Sequence, residues 1–186
     1  CIFRFNVETC YFSPRLSEER KNIAGFVKNG ERVLVMFGGV GPFAIVIGKH
    51  SSAREVYSVE LGRECSRYAL ENVKRNKLID RVRVVQGDVR RVIGAGRKVS
   101  GVFDRIVMAR PNLTDSFLNV AFSVSRKGTV IHYYGFYFEE DLNDLKELIL
   151  SEALKYSKEV KILRIVKAGD IVARKFSYRA DVKISG

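Results

Sequence analysis

Three glycines between two apolar runs are the residues of this chain best suited to holding a nucleotide. Gly38, Gly39 and Gly41 follow the apolar run 33–36, and Pro42 precedes a second one. Glycine lacks a Cβ, so the backbone can turn tightly and a ligand can approach the peptide plane. Proline suits the first position of a helix, where an N–H is not needed. The pattern therefore predicts a buried strand, a glycine turn and a helix that bind the nucleotide end of a cofactor.

Two carboxylates end the next two strand-like runs. Glu60 closes the run 55–60, and Asp88 closes the run 81–88. An ionised carboxylate only accepts hydrogen bonds, which suits ribose hydroxyls at Glu60 and an adenine amino group at Asp88. Ligands of open α/β sheets lie beyond the carboxyl ends of the strands. The glycines and the two acids together predict an adenosine site.

The glycine turn by itself does not identify the cofactor. Gly39, Gly41 and Ala44 also fit the spacing of a dinucleotide fingerprint, with Glu60 about twenty positions downstream. An NAD-dependent enzyme is therefore an alternative. It is disfavoured because no catalytic His, Tyr-Lys or Cys constellation accompanies the turn.

The order of elements that must position these residues indicates one α/β domain. Helix-like stretches alternate with strand-like runs. The strand-like runs are 32–36, 55–60, 81–88, 102–108, 128–134, 158–166 and 171–184. Such alternation implies a mostly parallel, seven-stranded sheet with helices on both faces. Only residues 167–170 separate the last two runs, so we expect an antiparallel hairpin at one edge of the sheet.

The first 28 residues are interpreted as a segment and a helix that lead into this domain. Residues 2–11 alternate apolar and polar, which is typical of a strand or an extended segment. Ser17 favours the start of a helix and would place Glu19 on its first turn. The predicted organisation is residues 1–28 followed by a cofactor-binding catalytic domain over residues 29–186.

Charge and cysteine content limit the class of protein. The 33 Lys and Arg residues against 21 Asp and Glu residues give a net charge of +12, which favours a polyanionic partner. Cys1, Cys10 and Cys65 lack any metal-ligand spacing, so we expect reduced thiols and no metal. No apolar run is long enough to span a membrane, and no signal peptide is evident, so we expect a cytoplasmic protein without membrane contact.

Several stretches of the chain resemble the archaeal and eukaryotic-type tRNA (guanosine-37 N1)-methyltransferases. The similar stretches are 11–20, 36–44, 56–61, 76–77, 87–90, 104–108 with Pro111, 130–133 and, more loosely, 177–183. The combination of Phe-Ser-Pro-Arg at 12–15 with Phe-Gly-Gly-Val-Gly-Pro-Phe at 37–43 is specific. The resemblance implies a class I, Rossmann-like methyltransferase fold that uses S-adenosylmethionine on the anticodon loop of a tRNA.

The resemblance also implies a role for each matching residue. Glu19 would remove the N1 proton of guanosine 37, and Arg15 or Arg20 would stabilise the charge that develops on O6. In the family an arginine from upstream of the similar stretch takes part, and the resemblance implies that Pro111, at the exit of the fourth strand, also belongs to the catalytic residues. The residues implied to hold S-adenosylmethionine are Tyr11, Phe37, Gly39, Gly41, Glu60, Leu61, Asp88 and Val89. The methyl sulfonium is already electrophilic, so no metal is required.

The substrate must offer a base that is splayed out of its loop, as single-stranded RNA does. Surface cations near the site are candidate phosphate contacts. They are Arg15, Arg20, Lys21, Arg110 and Arg126. The chain begins at Cys1 instead of methionine, so we expect an N-terminal, tRNA-gripping portion to be missing and the remaining piece to be a monomer.

Two positions depart from the family pattern. Most relatives carry Asn-x-Pro where this chain has Ala109 and Pro111, and usually an Asp where it has Val35. The loss of the amide at Ala109 leaves two alternatives open besides NAD chemistry. One is an aminocarboxypropyl transferase of the wyosine pathway that uses S-adenosylmethionine. The other is an impaired module that binds S-adenosylmethionine or tRNA without turnover.

Overall fold

The computed structural model of the chain describes residues 1–109, 114–172 and 175–186, and gives only the backbone of residues 170–172 and 175. Seven strands form one sheet. They are β1 (Arg32–Met36), β2 (Glu55–Glu60), β3 (Val82–Gln86), β4 (Phe103–Met108), β5 (Ser125–Phe138), β6 (Val160–Val172) and β7 (Lys175–Ile184).

The sheet has the order β3-β2-β1-β4-β5-β7-β6. Strands β1 to β5 run parallel to one another, and β7 pairs antiparallel with both β5 and β6. The predicted fold class, a mostly parallel seven-stranded sheet with an antiparallel edge hairpin, is confirmed. Because β1 lies next to β2 and β4, the glycine turn that follows β1 lies between the ends of two neighbouring strands.

The predicted hairpin turn at residues 167–170 is wrong. Strand β6 continues through that stretch, pairing Gly169 with Ser177 and Val172 with Lys175. The ladder accommodates the glycine through register shifts, including one between Lys167 and Gly169. Residues 167–170, which predicted a turn, therefore form an irregular, bulged part of strand β6.

Six helices are present in the described part of the chain. They are α1 (Ser17–Phe26), α2 (Pro42–His50), α3 (Arg63–Arg75), α4 (Val89–Val92), α5 (Leu118–Ser123) and α6 (Leu142–Lys155). A short 3-10 turn over Pro14–Leu16 leads directly into α1, and the Ser17 N–H donates to the Pro14 carbonyl. Ser17 is consequently inside the helix and does not cap it, which corrects the predicted helix start.

The helices cover both faces of the sheet, as the alternation predicted. In β1, the side chains of Val33 and Val35 belong to the core on the face of the sheet that α1, α2 and α3 cover. Leu34 and Met36 belong to the core on the other face, which α4, α5 and α6 cover. Successive strand residues point to opposite faces, so a fully apolar strand requires such two-sided cover. No helix in the described residues is long and apolar enough to cross a membrane.

The N-terminal segment lies along α3 in an extended form and does not join the sheet. Its Ile2 N–H donates to Asn76 Oδ1 at 2.9 Å, and its Arg4 N–H donates to Asn72 Oδ1 at 2.8 Å. Side-chain amides thus satisfy backbone groups that a strand partner would otherwise satisfy. Of the two forms that the sequence left open for residues 2–11, the extended one is observed up to residue 6. Residues 7–10 form a turn instead, in which the Cys10 N–H donates to the Asn6 carbonyl at 3.0 Å.

A disulfide between Cys10 and Cys65 fastens the same segment to α3. The prediction of three reduced thiols is therefore wrong, and Cys1 alone is a free, exposed thiol. The two cysteines are 55 residues apart in sequence, yet the fold brings their Cα atoms to 5.7 Å. Sequence spacing carries no signal for such a pair.

Candidate active site

The glycine turn has the backbone geometry of a ligand cradle. Phe37, Gly39 and Gly41 have positive φ angles of 61°, 54° and 88°. Glycine adopts this region freely, whereas Phe37 does so at a cost in free energy that is typical of functional sites. The Phe37 ring packs edge-on against Phe117, with centroids 5.1 Å apart.

Glu60 fixes the turn from the end of the neighbouring strand β2. Its Oε2 accepts a hydrogen bond from the Gly39 N–H at 2.8 Å, and its Oε1 accepts one from the Gly62 N–H at 2.8 Å. Each carboxylate oxygen can accept a second hydrogen bond. Glu60 can therefore hold the turn and accept from a ligand at the same time.

Gly38 has no room for a side chain. A Cβ built there would lie 2.2 Å from the hydroxyl oxygen of Ser58 on β2, which is itself buried without a hydrogen-bond partner in the described residues. The absence of a side chain at Gly38 thus allows β2 and the turn to pack closely, and the Gly38 N–H donates to the Val59 carbonyl at 2.9 Å.

We expect Gly38→Ala to destabilise the fold by about 1–3 kcal/mol, as overpacking does, and Ser58→Ala to restore most of that loss in the double variant. Ser58→Ala alone is the control and should be close to neutral, because it removes an unsatisfied buried hydroxyl. Urea unfolding of the four proteins measures the coupling. A double variant no more stable than Gly38→Ala would contradict the clash.

The residues that follow Glu60 and Asp88 differ in what they can offer a ligand. Leu61 is 66% exposed at the edge of the sheet, so its apolar side chain is accessible. Asp88 accepts from the Arg90 N–H at 2.8 Å through Oδ1 and thereby caps α4. The Val89 side chain is buried in the core, so only the backbone of Val89 can contact a ligand.

The N-terminal segment crosses the glycine turn. The Tyr11 carbonyl oxygen lies 3.9 Å from the position of a Cβ on Gly39, and the Tyr11 side chain is 83% exposed. Asn72 ties the two together, since its Nδ2 donates to the Val40 carbonyl at 3.2 Å while its Oδ1 accepts from Arg4. Tyr11 is thereby placed beside the cradle with its phenol facing outwards.

Strand register brings Tyr134 to the same edge of the sheet. Met36, Met108 and Tyr133 form one row across β1, β4 and β5. Tyr134 comes next, on the face covered by α1 and α2. Its ring lies 5.8 Å from that of Phe43, the second residue of α2, so Tyr134 is adjacent to the helix that begins at the glycine turn.

Glu19 is buried against this tyrosine. Its Oε1 accepts a hydrogen bond from the Tyr134 hydroxyl at 2.6 Å and forms an ion pair with Nη1 of Arg179 on β7. Burial, together with the charge of Glu19 and the hydrogen bond to it, raises the pKa of Tyr134 well above its usual value. The phenol therefore remains protonated and acts as a donor to the carboxylate.

Of the two candidate cations, only Arg20 is enclosed. Its Nη2 donates to the Ser13 carbonyl at 2.6 Å, its guanidinium lies 4.7 Å from the Phe12 ring centroid, and its buried Nε has no partner in the described residues. Burial lowers the pKa of Arg20 to about 10, so it is still a cation at neutral pH. Arg15 is exposed on the 3-10 turn and forms no hydrogen bond to Glu19 within the described residues.

Two further positions that the sequence singled out, Ala109 and Pro111, are not shown to belong to this site. Pro111 lies outside the described residues, so its predicted role stays a prediction. Ala109, two positions before it, is half-buried against the core of the α1 face. A cleft of about 630 Å³ exists between α4 and α5, but its lining includes neither Glu19 nor Glu60, and we do not assign the site to it.

A buried network continues from Glu19, and none of its further members was among the candidates predicted from the sequence. Arg179 Nε donates to Asp181 Oδ1 at 2.8 Å, and His132 Nδ1 lies 2.5 Å from the same oxygen. Arg105 Nη1 lies 2.8 Å from His132 Nε2. Arginine only donates, so Nε2 accepts and the proton of the neutral ring sits on Nδ1. One feature of the sequence could have indicated this network. Polar residues such as Arg179 and Asp181 stand two positions apart in strand β7, and residues at that spacing point to the same face of a sheet.

We expect His132 to reduce the free energy of unfolding of the protein as the pH decreases. Burial, with help from Arg105 and Arg179, lowers the pKa of His132 below its usual 6.5 although Asp181 opposes this shift. Below about pH 6.5 the unfolded chain therefore binds a proton at this histidine that the folded chain does not bind. The free energy of unfolding consequently falls by up to about 1.4 kcal/mol for each pH unit of acidification. Urea unfolding between pH 7.5 and 5.5 measures this slope.

His132→Asn keeps a donor for Asp181 but removes the titrating ring, so its slope should be shallower. His50→Asn, at the other histidine of the chain, which is exposed, is the matched control and should keep the original slope. Equal slopes in the wild type and His132→Asn would refute the assignment. Asp181 contributes to the decrease in the free energy of unfolding only at lower pH. The reason is that its hydrogen-bond and charge partners hold the pKa of Asp181 below the usual value despite its burial.

Comparison with known proteins gives one family. The model of the TRM5/TYW2 methyltransferase domain matches residues 1–163. The tRNA (guanine(37)-N(1))-methyltransferase Trm5b of Pyrococcus abyssi is 33% identical over 189 residues, which cover 98% of this chain and 52% of the relative. Its crystal structure aligns with a TM-score of 0.87, covering 99% of this chain and 53% of that chain.

Two further matches, one sequence and one solved structure, come from Methanocaldococcus jannaschii. The tRNA(Phe) (4-demethylwyosine(37)-C(7)) aminocarboxypropyltransferase is 34% identical over 134 residues, covering 72% of this chain and 51% of the relative. The crystal structure of TYW2 in complex with AdoMet is 27% identical with a TM-score of 0.88, covering all of this chain and 82% of that chain. The chain thus spans about half the length of the Pyrococcus abyssi Trm5b and of the Methanocaldococcus jannaschii aminocarboxypropyltransferase.

Proposed function

The chain belongs to the TRM5/TYW2 methyltransferase domain family, and from that premise we propose that it transfers the methyl group of S-adenosylmethionine to N1 of guanosine 37 in a tRNA. The observation that supports this most is the meeting of two features at one edge of the sheet. A buried carboxylate, Glu19, accepts from Tyr134, and the Tyr134 ring lies 5.8 Å from that of Phe43, two residues after the glycine turn that Glu60 holds.

The residues of the cradle fit the nucleoside part of S-adenosylmethionine. Glu60 would accept from the ribose hydroxyls, Asp88 from the adenine amino group, and the exposed Leu61 would lie against the adenine ring. Gly39, Gly41 and the backbone of Val89 would form the floor, with Phe37 and Tyr11 at the sides. The bound cofactor supplies an activated methyl group on a sulfonium.

Glu19 would act as the base. The N1–H bond of guanine breaks, its proton passes to the carboxylate, and the N1 electron pair forms the bond to the methyl carbon as the carbon–sulfur bond breaks. S-adenosylhomocysteine leaves. The buried cation Arg20 would stabilise negative charge that develops on O6, where low water content strengthens the effect.

The net charge of +12 supports tRNA as the substrate, because lysine and arginine side chains bind phosphates. Arg15, exposed beside the site, would contact the anticodon loop and not the reacting base. Pro111 would border the base from the exit of β4.

A second candidate reaction is transfer of the aminocarboxypropyl group of S-adenosylmethionine. It is favoured by Ala109, which lacks the amide that the methyltransferases usually carry at this position, and by the 34% identity to an aminocarboxypropyltransferase. The two reactions differ in which carbon–sulfur bond of the sulfonium breaks. The mass of the modified nucleoside therefore separates them.

The test uses the natural protein that carries this chain with two tRNA transcripts, one with G37 and one with A37. We expect a mass increase of one methyl group on the G37 transcript only. Equal labelling of both transcripts would overturn the site assignment. An aminocarboxypropyl mass on a third tRNA, which carries 4-demethylwyosine at position 37 as the name of that relative specifies, would select the second reaction. Tight S-adenosylmethionine binding without product on any of the three tRNAs would overturn both reactions.

A further inference from the structure

In the described residues, the side chain of Glu19 is held by side chains of the sheet beneath α1 and not by its own helix. Its two described partners, Tyr134 and Arg179, face each other across the β5–β7 ladder. Both bind the same oxygen, Oε1. Both partners therefore lie in neighbouring strands of the sheet, and neither lies on α1.

We propose that Arg179 is a positioning residue for Glu19, and that Asp181 and His132 hold Arg179 in place for this purpose. The proposal rests on the proposed function, because it assigns the removal of the N1 proton to Glu19. Arg179 pairs with the buried carboxylate and fixes Oε1, so that Oε2 is left to accept the proton from guanine.

Asp181 makes this arrangement stable through the reaction. When Glu19 takes up the proton it becomes neutral, and a buried Arg179 would then be an uncompensated charge. Asp181 accepts from Arg179 Nε at 2.8 Å and from Nη2 at 3.3 Å, so the guanidinium keeps a carboxylate partner in both states. The charge of the pocket therefore changes only at Glu19.

Asp181 is in turn fixed by two further donors. His132 donates from Nδ1 at 2.5 Å, and Arg164 Nε donates to Oδ2 at 2.5 Å. Asp181 and His132 are both 1% exposed and pair directly between β7 and β5. The order His132, Asp181, Arg179, Glu19 is therefore a chain of hydrogen bonds that ends on the base.

A buried ion pair can also serve stability alone, so the experiment must separate positioning from folding. We would compare wild type, Glu19→Gln, Arg179→Ala and Arg179→Lys in the natural protein. The readouts are the single-turnover rate with a G37 transcript, the Kd for S-adenosylmethionine and the melting temperature. Methylguanidinium is then added to each protein at millimolar concentration.

We expect Arg179→Ala to slow the single turnover by about 10²-fold, the effect of a misplaced reacting group, with less than about threefold change in the Kd for S-adenosylmethionine. Methylguanidinium should recover at least about tenfold of that rate in Arg179→Ala, and nothing in wild type or Glu19→Gln. Arg179→Lys should remain slow, because one ammonium cannot bridge two carboxylates as a planar fork does.

Each possible result decides one statement. An inactive wild type overturns the proposed function, and an active Glu19→Gln overturns the base. Two results would overturn the positioning role alone, provided that Glu19→Gln is slow. One is a wild-type single-turnover rate in Arg179→Ala, and the other is a slow Arg179→Ala that methylguanidinium does not rescue. Should Arg179→Ala fail to fold, Arg179→Lys decides: a wild-type rate overturns the proposal, and a slow rate at an unchanged melting temperature supports it.

Discussion

Glu19→Gln is expected to slow the single-turnover methyl transfer by about 10²-fold or more, the usual contribution of a general base. Glutamine has nearly the same shape and can still accept from Tyr134, so the Kd for S-adenosylmethionine should stay within about threefold of wild type. What is lost is the ability to take the N1 proton.

Glu18→Gln is a matched control for this prediction. Glu18 precedes Glu19 on the first turn of α1, but its side chain is 76% exposed and pairs only with the surface residue Lys21 in the described residues. Its single-turnover rate should equal that of the wild type. An unchanged rate in Glu19→Gln would exclude Glu19 as the base, whatever the state of the cofactor site.

Glu60→Gln is expected to weaken the binding of S-adenosylmethionine by about 10- to 100-fold, the loss of a charge-assisted hydrogen bond. Both oxygens of Glu60 accept from backbone N–H groups, those of Gly39 and Gly62. An amide must turn its NH2 group towards one of these donors, so the substitution also loosens the glycine turn.

Calorimetry with S-adenosylmethionine and NAD side by side measures this effect and also tests the dinucleotide alternative. Glu64→Gln is the control, because Glu64 lies on the first turn of α3, where its described ion pair is with Arg67. Unchanged affinity in Glu60→Gln would remove Glu60 from the cofactor site. Tight NAD binding by the wild type would remove the methyltransferase proposal.

Local patterns in the sequence determined much of the fold and half of the site. The strands β1 and β2 have the predicted bounds, and the glycine turn stands between strand and helix as expected. These features follow from residue periodicity and from the special backbone of glycine and proline, which act over a few residues. Glu60 at the end of β2 could be placed for the same reason.

The tertiary structure alone decided which side chains surround Glu19. Arg179 is 160 residues away from it in sequence, and Tyr134 is 115 residues away. They meet because β7 inserts between β5 and β6, which puts Arg179 opposite Tyr134. The same holds for the Cys10–Cys65 disulfide and for the packing of Ser58 against Gly38.

The physical reason for this division is range. A turn, a cap or an amphipathic period is set by neighbouring residues, so the chain displays it directly. A buried ion pair depends on strand order and register, and those are set by the burial of the whole apolar surface. The sequence therefore determined the glycine turn and the position of Glu60, which we propose to hold the nucleotide. Only the packed sheet decided which side chains orient Glu19, the proposed base.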